Sequence, residues 1–178
     1  MEASREEAIK WLSLAADQSE PSAEVMLGGI WLSEGKAAEA VELFRRAARS
    51  GNSDGRYNLG VCHRLGLGVP LDLAKAQHWY RTAAEDGHPS AQLALASLLQ
   101  ETDPSESART EAVKWYRAAA DNGHADALLS LGQVHELGLG VPRDLNAAHS
   151  FYSQAAKRGV DGAAAALARL DEQRFAAG

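Results

Sequence analysis

Apolar and small residues recur along this chain at helical spacing, and the whole pattern then returns at a fixed interval. The segments LFRRAARSG, WYRTAAEDG, WYRAAADNG and FYSQAAKRG end at Gly51, Gly87, Gly123 and Gly159, spaced by 36 residues. Tyr80, Tyr116 and Tyr152 keep the same step, with Phe44 in their place one repeat earlier. The pairs Ala47-Ala48, Ala83-Ala84, Ala119-Ala120 and Ala155-Ala156 keep it too. A second set of marks runs in phase: Leu59, Leu95, Leu131 and Leu167, each followed by a small residue, Gly60, Ala96, Gly132 and Ala168. Leu27-Gly28 carries the same mark 32 residues before Leu59, so the first unit is four residues shorter. A period of this length, without the alternation of a strand, predicts a helical solenoid.

Each unit divides into a helix A and a helix B. In the second unit helix A is predicted over about Ser53–Leu65 and helix B over about Leu73–Asp86, joined by the turn GLGVPLD. Gly87 ends helix B by taking the left-handed conformation. Asp72 and Asp144 are placed to cap the B helices, since a carboxylate there accepts backbone N–H bonds. In the third unit Asp103-Pro104-Ser105-Glu106 has capping-box spacing, with proline at the first helical position. The small residues let paired helices approach closely, and Trp79, Trp115, Tyr80 and Tyr116 fill the wedge between successive pairs. The chain opens with a B-type sequence, Lys10–Gln18, and closes with an A-type one, Gly162–Gln173. The prediction is an all-α, right-handed α-α superhelix of antiparallel helix pairs with about ten helices. It divides into a half unit over 4–19, units over 20–51, 52–87, 88–123 and 124–159, and a terminal helix over 160–175. The polar Asp171, Glu172, Gln173 and Arg174 suit a soluble cap, and a cut from a longer array is the alternative.

Composition narrows the function classes. With 178 residues, 46% of them hydrophobic, the chain can bury a core. A formal charge of −6 argues against non-specific binding to nucleic acid or to an anionic membrane. No apolar run approaches the ~20 residues of a membrane helix, so no membrane insertion is expected. The opening MEASREEAIKWL lacks the basic start and apolar stretch of a signal peptide. Cys62 is the one cysteine, which leaves no internal disulfide; among apolar neighbours it reads as a buried, inert thiol. A cytoplasmic location is the expectation, or a periplasmic one if the chain is trimmed from a longer one.

From Leu59 to Ala91 the chain reads LGxxxxxGLGVPxDxxxAxxWYxxAAxxGxxxA. This resembles the Sel-one-like repeat, a cousin of the tetratricopeptide repeat. Leu131 to Ala163 match again, with Phe151 in place of tryptophan. Leu95 to Ala127 match except where QETDPSESARTE replaces the glycine-rich turn, and Leu27 to Gly55 match loosely. The resemblance implies a curved superhelix and a non-catalytic scaffold or adaptor that binds another protein or peptide. A cysteine-rich branch of the family has been linked to penicillin-type ligands, which makes binding or hydrolysis of cell-wall or β-lactam-type molecules the alternative. This chain departs from that branch in having only Cys62.

In the tetratricopeptide relatives partners lie in the concave groove lined by helix A. Positions that hold the fold repeat from unit to unit, whereas positions that read a partner should differ. The groove positions lie three before, one after and four after the small residue. They are Val25, Gly29 and Leu32; Tyr57, Val61 and Arg64; Leu93, Ser97 and Gln100; and Leu129, Gln133 and Glu136. Tyr57, Leu93, Leu129 and Val25 are also placed for packing. Arg64 and Glu136, of opposite charge, would orient a bound peptide. Open stack ends would expose apolar faces and favour self-association.

Other chemistry is weaker. His63 and His135 occupy equivalent positions, as do His88 and His124, and equivalence by duplication spreads them along the stack instead of around one ion. Gly66-Leu67-Gly68 and Gly138-Leu139-Gly140 lack the third glycine, the lysine and the preceding strand of a phosphate loop. No nucleophile elbow or serine, histidine and acid cluster is present. The acidic stretch Glu101–Glu111 reads as a solvated turn, or as a phosphorylation or docking loop. No catalytic residue, metal or cofactor is expected.

Overall fold

The computed structural model describes residues 2–176, with side chains described for residues 4–173, and over that span the chain is helix and turn. It forms two compact units, Met1–His88 and Pro89–Gly178. The first contains α1 (Glu2–Asp17), α2 (Pro21–Ser33), α3 (Ala37–Arg49), α4 (Ser53–Leu65) and α5 (Leu73–Glu85). The second contains α6 (Pro89–Thr102), α7 (Glu106–Asp121), α8 (Asp126–Leu137), α9 (Leu145–Lys157) and α10 (Ala163–Ala176). Within each unit every helix packs on the next in sequence. The fold is an all-α helical repeat, with α2, α4, α6 and α8 in the helix-A role and α3, α5, α7 and α9 in the helix-B role.

The periodic glycines act as helix stops. At the end of α5, Gly87 has φ +85, its N–H donates to Ala84 O, and His88 N–H reaches back to Ala83 O. This pair of bonds is a Schellman motif, which satisfies carbonyls the helix leaves open. Gly51, Gly123 and Gly159 repeat it at the ends of α3, α7 and α9. At the end of α1 the same two bonds form, but Ser19 stands in the glycine's place with φ +61. Asp72 accepts from Lys75 N–H and Asp144 from Asn146 and Ala147 N–H, so both carboxylates cap the B helices. The third repeat differs from expectation. Ser105, not Asp103, caps α7 by accepting from Ala108 N–H, while Asp103 accepts from Ser105 N–H one step earlier. Pro104 therefore precedes the cap and lies outside the helix, and the Asp103 carboxylate is engaged with the N–H of the cap residue itself.

The core is built from the repeating marks. Leu27, Leu59, Leu95 and Leu131 are 5%, 1%, 0% and 1% exposed. Leu167, on α10, is half-buried, and Leu170 takes the buried place there. Phe44, Tyr80, Tyr116 and Tyr152 are buried. The small residue beside each leucine makes room for that ring: a Cβ on Gly60 would stand 2.5 Å from the Tyr80 ring, and Cβ atoms on Gly28 and Gly132 would strike Phe44 and Tyr152. The second glycine of each GLGV turn lies against a neighbouring helix start, Gly68 on the Ala37 backbone and Gly140 on the Arg109 backbone. Cys62 is buried and free, and burial pushes its thiol up to about 11. Asp171, Glu172 and Gln173 are exposed; the Arg174 side chain lies outside the described residues.

Candidate functional site

The three helix-A positions singled out by sequence play three different parts. The first is packing. Val25 packs on the cluster around Phe44 and Leu59, and Leu129 packs on those around Leu128 and Tyr152. Leu93 is half-buried. The Tyr57 ring is stacked on His88 at 4.9 Å and tilted against Tyr80 at 5.8 Å, while the His88 ring sits 3.0 Å from the Asp54 carboxylate.

The third position meets the ring of its own unit's helix B. The Tyr116 hydroxyl donates to Gln100 Oε1 at 2.7 Å, with Ser97 Oγ 3.3 Å away. The Tyr152 hydroxyl donates to Glu136 Oε2 at 2.7 Å. Arg64 donates to the Tyr80 hydroxyl, whose proton burial nevertheless holds up to about 12. Where Phe44 supplies no hydroxyl, the position is Leu32, packed on the apolar cluster that contains Phe44. The side chain at this position therefore follows the chemistry of the ring.

Glu136 is the extreme case. Its side chain is 8% exposed, and Arg169 of α10 grips it with two bonds of 2.6 and 2.8 Å. The Arg169 bonds, helped by the Tyr152 hydroxyl, hold its carboxyl below the usual carboxylate range. The sequence reading treats Glu136 as a charge offered to a peptide. In the structure that charge is already neutralised from within the unit, because a buried carboxylate needs a cation and donors of its own. Arg169 was missed. It occupies the middle groove position of α10, one repeat after Gln133, and an arginine there facing an acid 33 residues earlier is the signal that pairs them.

The middle position is the one turned outward. Gly29 and Gln133 are exposed, Val61 and Ser97 are half-buried, and a Cβ on Gly29 would meet open space. In the first unit α2 and α4 also touch each other, which brings Gly29 and Val61 onto neighbouring helices. In the second unit α6 and α8 present Ser97 and Gln133. What this arrangement can do chemically is bind: two short, shallow faces of mixed polarity. Among the described residues no group of three or more His, Cys, Asp or Glu side chains is placed to hold a metal ion. No helix among them is long and apolar enough to cross a membrane. His63 is buried and His135 half-buried, and desolvation holds both rings below the usual histidine range; His135 stacks on Phe151 at 5.4 Å.

Comparison with known proteins gives a consistent picture. The model of one family, the Sel1 repeat, matches residues 1–20, 21–52, 53–88, 89–124 and 125–160. Among curated relatives, the chitin synthase regulator SKT5 of Malassezia restricta is 32% identical over 176 residues, 92% of this chain and 12% of the relative. The DAP3-binding cell death enhancer 1 of Rattus norvegicus is 36% identical over 96 residues, 53% of this chain and 19% of the relative. The chain thus spans about a fifth or less of the length of these relatives. Among solved structures, a protective antigen with an SLR fold, present in uropathogenic Escherichia coli strains, superposes with a TM-score of 0.79 at 35% identity. That match covers 85% of this chain and 33% of the antigen. A Sel1 repeat protein from Oxalobacter formigenes gives 0.78 at 30% identity, covering 85% of this chain and 62% of that one.

Proposed function

Because the chain belongs to the Sel1 repeat family, we propose that it is a non-catalytic scaffold that holds a partner protein or peptide on its helix-A faces, with the middle positions as the reading residues. One observation carries the proposal. Buried helix-A positions repeat from unit to unit, and the third position follows the ring beside it, but Gly29, Val61, Ser97 and Gln133 differ from one another, and Gly29 and Gln133 are exposed, while Ser97 Oγ also lies 3.3 Å from the Tyr116 hydroxyl. A face that reads a chain rung by rung needs such a series, because each rung must supply its own contact. The relatives support the general role: one is named as a chitin synthase regulator and another for binding DAP3. The partner of this chain is a separate matter, and those names do not transfer to it.

The test is a triple variant, Val61→Glu, Ser97→Glu and Gln133→Glu, compared with the wild type for capture of a partner by the purified chain. The sites are half-buried or exposed, so the fold should survive, and circular dichroism checks that it does. The expected result is loss of capture by the folded variant. Capture at wild-type strength would overturn the proposal.

A further inference from the structure

Helix A and the end of helix B in the same repeat are bridged differently along the chain. The position four before the helix-A small residue faces the position just before the helix-B glycine. In the first unit these are Arg56 and Asp86, which form an ion pair. In the second unit the first such pair is Gln92 and Asn122, and the Asn122 amide donates to Gln92 Oε1 at 3.0 Å. One repeat later the pair is Leu128 and Arg158. A leucine offers nothing to a guanidinium, and the Arg158 side chain makes no hydrogen bond or ion pair with any described residue. At this point a cleft of about 300 Å³ stands open between α7 and α9, with α8 as its floor.

We propose that this cleft binds an acidic peptide segment of a partner protein, with one bulky apolar side chain seated between flanking carboxylates. The lining is mixed: Ala120, Leu128, Leu131 and Phe151 supply an apolar wall, and Gln154 stands on it beside the charged residues. Its volume lies at the small end of the ~300–1,000 Å³ of ligand pockets, which suits a single leucine or phenylalanine side chain with its backbone. The mouth carries Arg117 and Arg158 against one acid, Asp121. In a chain with a formal charge of −6 this is a local excess of positive charge, and arginine forks pair with carboxylates through two parallel bonds. At the equivalent points of earlier repeats a polar pair stands where Leu128 and Arg158 stand here, and Arg158 is exposed at the cleft. None of the helix-A reading positions lines the cleft, so the inference stands independently of the proposed groove.

The probe is the end-blocked peptide Gly-Asp-Glu-Phe-Glu-Asp-Gly, titrated into the full chain by fluorescence polarisation and by NMR of methyl and arginine side-chain resonances. Wild type is expected to bind, with shifts at Leu128, Leu131, Arg117 and Arg158. Leu128→Gln with Arg158→Asn transplants the bridge of Gln92 and Asn122 into the cleft and should weaken binding by about tenfold or more. Arg158→Glu, at an exposed site, should do the same through charge alone, and so should replacing the peptide's phenylalanine by alanine. Absence of wild-type binding at millimolar peptide, unchanged binding by the folded double variant, or shifts confined to Ser97, Gln133 and their neighbours would overturn the proposal.

Discussion

Phe44 and Tyr152 occupy the same place in the first and fourth repeats, each pressed against the glycine of its helix A. Around Phe44 the corner is dry: Leu32, Val25 and Trp31 pack on the same cluster. Around Tyr152 it is polar, with the hydroxyl on Glu136 and Glu136 gripped by Arg169. One extra oxygen on the ring changes its helix-A neighbour from leucine to glutamate and recruits an arginine from a further helix. Variation at this position therefore records matched pairs inside the fold. At the middle position Ser97 still touches the Tyr116 hydroxyl, but Gly29 and Gln133 are exposed, and that contrast locates the face we propose for a partner.

The comparison can be broken or sharpened by substitution. The largest effect is expected at the dry corner. Phe44→Ala should cost about 3–5 kcal/mol, since it removes a fully buried ring and leaves a cavity; urea denaturation measures it. At the polar corner Tyr152→Phe should cost about 1.5–3 kcal/mol, the range for a hydrogen bond to a charged group. Converting the polar corner to the dry one is the sharper test. Glu136→Leu alone strands the Tyr152 hydroxyl, but on a Tyr152→Phe background it recreates the Leu32 and Phe44 pairing. The double-mutant cycle should show about 1–2 kcal/mol of coupling. Strict additivity would mean that the two residues do not sense each other.

How far the sequence carries is visible at these same residues. Repeat spacing placed the leucines, the rings, the glycine stops and the caps at Asp72 and Asp144, because backbone geometry and close packing demand particular residue types there. The cap of α7 was misplaced at Asp103, since Asp103 has a glutamate three residues on and Ser105 has Ala108 there, so the spacing rule favours the aspartate while the structure caps with Ser105. Glu136 was misjudged for a different reason. Its partners come from 16 and 33 residues further along, so in a linear reading an acid on a variable position looks like solvated surface. The cleft was invisible in the same way: its lining comes from three helices, α7, α8 and α9, spread from Arg117 to Arg158.

Acid should separate the two corners. The folded-state carboxyl of Glu136 is held below its ordinary 4.5, so its contribution is fully present above that pH and is lost as pH falls through the lower, folded-state value. The stability gap between wild type and Glu136→Gln should therefore be constant near neutrality and narrow as pH falls below 4.5; Leu32 variants at the dry corner should show no such trend. The smallest effect is expected at Ser19, the one described non-glycine residue with positive φ. Ser19→Gly should raise stability by about 0.5–1 kcal/mol by relieving left-handed strain, whereas Gly87→Ala should lower it by a similar amount.

The most direct test of the central claim is site-specific photo-crosslinking of the full chain to a captured partner. A benzophenone side chain is placed in turn at the middle positions 61, 97 and 133 and at the third positions 64, 100 and 136. The account predicts partner adducts from the middle positions and few or none from the third, which face their own rings. Adducts from the third positions alone, with silence at the middle ones, would contradict it.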